Sequence, residues 1–412
     1  MTTLFVVTGS YPFSVAAENT FLPQELAVLS RHFEKIVVVP LSTEGARDDI
    51  GIPNVEVDTE FASYTQSRRG KWMRLMSGLI DPELLKECGR HRSLFAKHPR
   101  ALRNTIGYYV RSKMMEAWTR QRLSARQTGA LVLYTWWFDA PTLGLARIGK
   151  QRDIPVISRA HGYDLYESRH APPYIPFRDI ALEKIDRVFP DSEAGARYLA
   201  RRYPFAASKV KVGLLGISDP GFLNASSSDG VFRVVSCSFL TPVKRIDLLI
   251  RGLAKVGEDC PSAQLSWVHL GDGPERSNLE TLSGKLLPSN VQWLMPGYPG
   301  RDGLYDFYRN ERVDLFVNVS ESEGTPISII EALSVGIPVL CTAVGGNTET
   351  VGNGNGLLME SNPTPKQVSE SLRTLMRQPG ELRQMRGASR EHWERKYDAA
   401  RNYADFAELI KA

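Results

Sequence analysis

The amino-acid sequence predicts an α/β chain made of two doubly wound domains, and three observations carry that prediction. Its 412 residues exceed the usual reach of one core, at roughly 100–200 residues per domain. Short unbroken Val/Ile/Leu runs alternate with amphipathic stretches, the pattern of a parallel sheet covered on both faces. The alternation stops at Gly216–Gly230, where ISDPGFLNASSSDG gathers Pro, Gly and Ser like a linker, and then restarts.

In the first half, strands are expected at Leu4–Thr8, Lys35–Pro40, Ala130–Tyr134, Pro155–Ser158, Arg187–Pro190 and Val210–Leu215. Helical patterns fall at Thr20–Phe33, Ala140–Gln151 and Glu193–Tyr203. Ahead of Ala130 the rhythm is interrupted by a basic segment, about 68–126, that reads as an inserted helical hairpin. Trp72, Met73, Leu75, Met76, Leu79 and Ile80 group along one side of it. The second half offers strands at Val231–Cys237, Gln264–Leu270, Asn290–Leu294, Val313–Val317 and Ile337–Cys341, a helix at Arg245–Gly257 and a helical tail from Pro365. The domains are therefore expected at 1–218 and 219–390, with ligands beyond the carboxyl ends of the strands, facing an interdomain cleft.

Hydrophobic residues make up 42% and charged residues 24%, which excludes a disordered chain, a collagen-like fibre and a small disulfide scaffold. Cys88, Cys237, Cys260 and Cys341 lie far apart with no CxxC pair, so neither a zinc site nor a disulfide framework is indicated, and free thiols fit a reducing cytoplasm. The apolar run Leu4–Val7 is too short for a signal peptide, and no stretch is long and apolar enough for a transmembrane helix. The net charge of +5 is uneven: residues 68–126 hold 15 Lys or Arg against four Asp or Glu, a net of +11, leaving −6 on the rest. Such a segment suits anionic lipid, phosphorylated substrates or nucleic acid.

The first strand runs into Thr8-Gly9-Ser10-Tyr11-Pro12, not G-x-G-x-x-G, and there is no P-loop, no G-x-S-x-G and no H-E-x-x-H. Dinucleotide dehydrogenases and P-loop NTPases are disfavoured. The densest signal is Asn318–Leu333, NVSESEGTPISIIEAL. A buried strand ends in a polar loop and a helix begins, with Thr325 expected as N-cap and Pro326 at the first helical position. The amides near Gly324–Ile327 would present a positive helix end to an anion such as a diphosphate. Glu331 follows two isoleucines. It belongs either to an exposed polar stripe with Ser328 and Ser334 or to a buried carboxylate that needs partners such as sugar hydroxyls.

This block, S-x-x-E-G-x-P-x-x-x-x-E-A, followed by Gly336-Ile337-Pro338 and Gly345-Gly346, resembles the retaining family 4 glycosyltransferases of GT-B fold. The resemblance implies that Glu323 contacts donor-sugar hydroxyls and Glu331 the ribose, and that the amides around Gly324, Thr325, Pro326 and Ile327 meet the sugar and diphosphate. Ser236–Asp247 is similar to the family's G-R-L-x-x-x-K-G-x-D stretch, with Lys244 at the lysine that neutralises the leaving diphosphate. Phe239 stands at the motif's arginine, so Arg245 becomes the candidate second phosphate cation. Gly271 and Gly273, with Gly297 and Tyr298, are implied to flank the base; singly, such glycines read as ordinary turns. Ser158–Tyr166 resembles the family's strand–His segment and places His161 beside the transferred sugar, although a lone His is more often a structural hydrogen-bonder. The family's glycine pair after the first strand is absent, and Ser10, Glu18 and Thr20 are the candidates for acceptor contacts. The resemblance also implies a terminal helix, within 391–412, that returns to the N-terminal domain.

The function implied is retaining transfer of a hexose-type sugar from a nucleoside-diphosphate donor, UDP favoured, to a saccharide acceptor bound by the N-terminal domain. No metal or cofactor is implied, and no DxD triplet occurs. The basic segment suggests a cytoplasmic protein that meets the anionic inner face of the plasma membrane and a lipid-linked acceptor in capsule, exopolysaccharide or lipopolysaccharide assembly. The alternative is a helix packed on its own domain. Nucleic acid is not expected as a partner, because no recognition module accompanies the charge. Two other functions fit the fold: a catalytically weak sugar-nucleotide-binding or glycan-binding subunit, which Phe239 favours and Lys244, Glu323 and Glu331 oppose, and a sugar-nucleotide epimerase.

Overall fold

A computed structural model describes residues 2–13, 17–67, 81–126, 130–352 and 354–411. It divides into two compact units, Met1–Gly216 with Ala399–Ala412, and Ile217–Asp398. The expected apolar stripe from Trp72 to Ile80 lies outside the described residues.

The first unit holds a parallel sheet of β1 (Thr2–Thr8), β2 (Lys35–Pro40), β3 (Val55–Val57), β4 (Ala130–Thr135), β5 (Val156–Ala160) and β6 (Arg187–Pro190) in the order β3-β2-β1-β4-β5-β6. The chain order reverses between β1 and β4, whose registers run Thr2↔Ala130 to Val7↔Thr135. β1, β4 and β5 are buried along most of their length, as apolar runs between two helical layers must be.

Two expectations are corrected here, and one strand is added. Val210–Leu215 is not a strand. Val210 makes one bridge to Val188, and the segment ends at Gly213 and Gly216, which press against Phe189 and Ala399 too closely for any side chain. The short edge strand β3 carries too few residues to show a period. The described part of the insertion is not a hairpin but three helices, Pro82–Arg90, Arg92–Lys97 and Pro99–Arg126. The last of these packs its apolar side on Ala140–Arg152. A Cβ on Gly144 would stand 2.3 Å from the Ser112 carbonyl oxygen, so this glycine sets the closeness of the two helices. Part of the segment's charge is paired: Arg122 with Asp58 and Glu60, Lys113 and Arg120 with Glu116, Arg90 with Asp179, while its Glu83 pairs with Arg147 of the facing helix. Among the described residues no helix is long and apolar enough to cross a membrane.

In the second unit, β7 (Val231–Cys237), β8 (Gln264–Leu270), β9 (Val291–Gly297), β10 (Leu315–Asn318), β11 (Val339–Thr342) and β12 (Gly356–Met359) form a parallel sheet ordered β12-β11-β10-β7-β8-β9. This repeats the first sheet's topology, and its reversal lies between β7 and β10. Residues 217–230 are not a free linker. Ile217 and Asn224 are buried, Asn224 donates to the carbonyls of Tyr308 and Glu311, and Asp219 pairs with Arg390. Residues 391–396 finish the helix Pro379–Lys396 of this unit, and the terminal helix spans Ala399–Lys411.

That last helix, Ala399–Lys411, completes the first unit. Asn402 donates to the Leu215 carbonyl, Tyr403 donates to that of Gly216, and Phe406 lies against Phe189, Tyr134 and the guanidinium of Arg159. Arg159 is fully buried and donates through Nε to Glu25 at 2.9 Å, while the Tyr134 hydroxyl donates to the other Glu25 oxygen at 2.6 Å. Removing one partner strands a buried charge. Arg159→Ala should destabilise the protein by about 3–5 kcal/mol, read as a lowered midpoint in urea unfolding; an unchanged midpoint would show that the pair is dispensable.

Candidate functional site

The site builds up where β7 and β10, neighbours in the sheet, open in opposite directions. After β7 the chain passes Phe239, which is exposed, into a turn at Pro242–Lys244. After β10 it passes Ser320 and Glu323 into the helix Ile327–Ser334. The Glu321 amide donates to the Val243 carbonyl at 2.8 Å and fastens the two loops together. Lys244 and Glu323 meet there: the ammonium donates to Glu323 Oε1 at 2.7 Å. The same oxygen accepts from the Ser320 hydroxyl at 2.6 Å and the Asn318 amide at 3.0 Å. Both side chains stay partly open to solvent. The sequence reading missed Asn318 and Ser320; their positions at the last residue of β10 and two residues beyond it were the available signal.

The loop after β11 backs this arrangement. The Gly346 amide donates to the Gly324 carbonyl. A Cβ on Gly345 would lie 1.9 Å from the Glu323 carbonyl oxygen, and one on Gly346 2.1 Å from that of Gly324. The glycine pair therefore lets a third strand end press on the Glu323–Gly324 backbone. Gly271 and Gly273 do the same for the loop after β7: their Cβ atoms would meet Ser238 and Leu240 backbone at 1.9 and 2.5 Å.

The helix starts one residue later than expected. It spans Ile327–Ser334 with Pro326 at the cap, and no capping side chain supplies a hydrogen bond. The Ile329 and Ile330 amides both return to the Pro326 carbonyl.

Glu331 is the buried carboxylate, not part of an exposed stripe. Burial pushes it up to about 7, against the partial opposition of the Arg301 charge. Tyr298, exposed past β9, has its phenol raised by burial and then by Glu331. The Cys237 thiol is raised by burial and by Glu331 and pulled back by Lys244, so it stands near both. Lys244, Glu323, Glu331 and Tyr298 thus share one end of the sheet.

Arg245 is a correction. Its backbone is left-handed, φ 50°, and its guanidinium donates to the carbonyls of Val319, Ser320 and Ser361 and to Asn362. It is committed to holding loops and not free to take a phosphate. The strain of such a backbone, roughly 1–3 kcal/mol, is offset by those bonds.

In the first unit, His161 ends β5 between the rings of Trp136 and Trp137. Nδ1 faces Asp191 at 3.2 Å and Nε2 faces the Trp136 carbonyl at 3.1 Å. Both partners are acceptors, an arrangement that favours a proton on each ring nitrogen. Burial works against this, but the hydrogen bond and charge of Asp191 outweigh it and hold the pKa above the ordinary histidine value. Glu18 is buried and accepts from the amides of Gly9, Ser10 and Tyr11 and from the Trp137 indole. It builds the loop after β1 instead of facing an acceptor. Ser10 lies in that loop and Thr20 in the helix Ala17–Leu29, both half-buried.

A family model, glycosyl transferases group 1, matches residues 225–392. That match falls within the second unit. An O-antigen biosynthesis glycosyltransferase of Escherichia coli is 32% identical over 158 residues, 36% of this chain and 42% of its own length. The chain spans between 23% and 42% of the length of the first curated relatives it matches. Among solved structures, a lipopolysaccharide outer core galactosyltransferase superposes over 100% of both chains with a TM-score of 0.70 at 15% identity. The Anabaena protein HepE, solved with UDP and glucose, superposes over 99% of both with 0.63 at 16%. At such identities the likeness is one of fold, and the fold is the two-domain α/β GT-B fold. The Lys244–Glu323 pair, Glu331 and the glycines behind them all fall inside the group 1 glycosyl transferase region.

Glu331 carries a stability cost that depends on pH. Its folded value near 7 exceeds the ordinary value of 4.5. Between those values the unfolded chain releases the proton first, so stability falls as pH rises, and the full cost applies above the folded value. Glu331→Gln should therefore stabilise the protein by ~3 kcal/mol at about pH 8 and by nothing near pH 4. Urea unfolding at both ends of that range checks it.

Proposed function

We propose that the chain is a retaining glycosyltransferase that moves a hexose-type sugar from a UDP donor to a saccharide acceptor held by the first unit. The acceptor is lipid-linked, in capsule, exopolysaccharide or lipopolysaccharide assembly. The observation that carries this reading is the Lys244–Glu323 pair at the sheet's reversal. The O-antigen relative and the solved protein holding UDP and glucose support it. Exposed Lys86, Arg92, Lys97, Arg100 and Arg103 support a peripheral place at an anionic membrane face.

The reaction follows from the charges. The bond between the anomeric carbon and the diphosphate oxygen breaks, and negative charge grows on the leaving phosphate. Lys244 leaves Glu323 to neutralise it, with the amides at the start of Ile327–Ser334. The acceptor hydroxyl attacks from the same face and passes its proton to the departing phosphate oxygen. The sugar–oxygen bond forms where the old one broke, and configuration is retained. Glu323 accepts from three side-chain donors through one oxygen, which blunts it as a covalent nucleophile and suits it to orienting sugar hydroxyls. Glu331 takes the ribose hydroxyls, which replace the water it lost on burial.

Thermal unfolding with UDP, GDP, ADP and CDP tests the donor site. UDP at about 100 times its dissociation constant should stabilise by roughly 2.7 kcal/mol, and Glu331→Ala should abolish the shift. No response to any nucleotide would move the weak-subunit reading to the front. In a transfer assay with and without acceptor, product should form only with acceptor, and Lys244→Ala should lower turnover by about 100–1000-fold. Donor conversion without acceptor would mark an epimerase instead.

A further inference from the structure

The first unit contains a cavity of about 760 Å³ beyond the carboxyl ends of β1, β4 and β5. This is where the sheet order reverses, the usual ligand position in such sheets. Its wall carries chemistry that none of the interactions described above uses.

Arg178 is 2% exposed and lines the cavity. Its guanidinium rests on the Phe138 ring at 4.0 Å, and Nη2 donates to the Asp164 carbonyl. Nε and Nη1 have no hydrogen-bond partner among the described residues. A buried cation with two unmet donors is costly unless something fills them. Arg111 lies on the same wall, on the long insertion helix, and is exposed. Asp139 stands close to both guanidinium groups; burial and then Asp164 push its carboxyl up to about 7, against Arg111 and Arg178. Near neutral pH it is thus partly protonated, and it then donates a hydrogen bond to an oxygen instead of repelling it. On the same helix face Arg100 and Arg103, also exposed, carry positive potential towards Arg111.

The remaining wall is aromatic. Tyr163 is 65% exposed and its ring pairs with His170 at 4.5 Å, while His170 Nε2 meets the Tyr163 carbonyl at 2.8 Å and fixes the pair. Trp137 is held by its indole bond to Glu18 at 2.6 Å. Flat rings held rigidly beside polar groups suit the C–H face of a sugar.

We propose that this cavity takes an acceptor saccharide bearing an anionic substituent, a carboxylate or a phosphate, which Arg178 and Arg111 clamp while Tyr163 and Trp137 cover the sugar ring. This rests on the glycosyltransferase reading for the word acceptor, but the clamp itself is a property of the first unit. One oxygen of the substituent takes up an unmet donor of Arg178, Nε or Nη1, and the exposed guanidinium of Arg111 binds another, a charge-assisted hydrogen bond in each case.

The experiment is calorimetric titration of the full chain with glucuronic acid, glucose 6-phosphate and neutral glucose, with UDP in parallel. At least one anionic sugar should bind at least tenfold more tightly than glucose; which one does identifies the substituent. Arg111→Ala, at an exposed position, should weaken that sugar at least tenfold and leave UDP unchanged. Arg178→Gln should do the same, provided its circular dichroism matches wild type. Equal binding of glucose, indifference to Arg111→Ala, or no binding of either anionic sugar up to about 20 mM, where affinity falls below roughly 2.3 kcal/mol, overturns the clamp. If UDP binds while the sugars fail, the donor reading survives without it. If the sugars bind as expected and UDP does not, the clamp stands and the donor reading falls.

Discussion

Everything at the Lys244–Glu323 site depends on one constraint, the divergence of two adjacent parallel strands. Because β7 and β10 are hydrogen-bonded neighbours whose connections leave in opposite directions, the loops that follow them are brought together without covering each other. Lys244 and Glu323 can then meet across 79 residues of sequence. The rest of the unit supports that meeting. Arg245 accepts a left-handed backbone in order to reach three carbonyls, the glycines at 345 and 346 give up side chains to press on Glu323 and Gly324, and Glu331 gives up hydration. Each is a local cost accepted for a fixed geometry.

The first unit solves a different problem with the same topology. Its core holds an Arg–Glu pair with no exposure, and its strand-end loops are built around buried carboxylates, Glu18 under the loop after β1 and Asp164 under Phe138 and His161. Backbone amides that would otherwise lack partners are collected by these side chains. The loops are thereby held in place, and the cavity beyond them is lined by Arg111 and Arg178, by the carboxyls of Asp139 and Asp164, and by aromatic rings.

How far the sequence discloses this depends on what kind of signal each feature leaves. Long central strands such as β1, β7 and β8 announce themselves as Val/Ile-rich runs. The edge strands β3 and β12, at three and four residues, leave no period to detect. Val210–Leu215 shows the opposite fault, an apolar run without a ladder, because Gly213 and Gly216 are shaped by their neighbours. Residues 217–230 read as a linker by composition, yet Asn224 uses its polarity to bind two buried carbonyls. At the site, Glu323 and Glu331 were legible because they sit in one dense motif, and Lys244 because the Ser236–Asp247 stretch carries a second. Arg245 was legible as a cation but not as a committed one, since no local pattern reveals a guanidinium whose carbonyl partners lie 74 to 116 residues away. Arg178 and Arg111 carried no signal at all, because one lies in a surface-like stretch and the other in a crowd of basic residues.

The return of Ala399–Lys411 to the first unit has a consequence for how the protein is made. A chain leaves the ribosome amino end first, and domains generally fold as they emerge. Here the first unit cannot be finished until Tyr403 and Phe406 emerge, after the whole of the second unit, because they cover the Arg159 side of the sheet. The second unit, closed at Asp398, can be complete while the first still exposes that apolar surface. The nascent protein thus passes through a stage in which its older half is the unprotected one. A change confined to Ala399–Lys411 would be felt in a unit otherwise built from the first 216 residues.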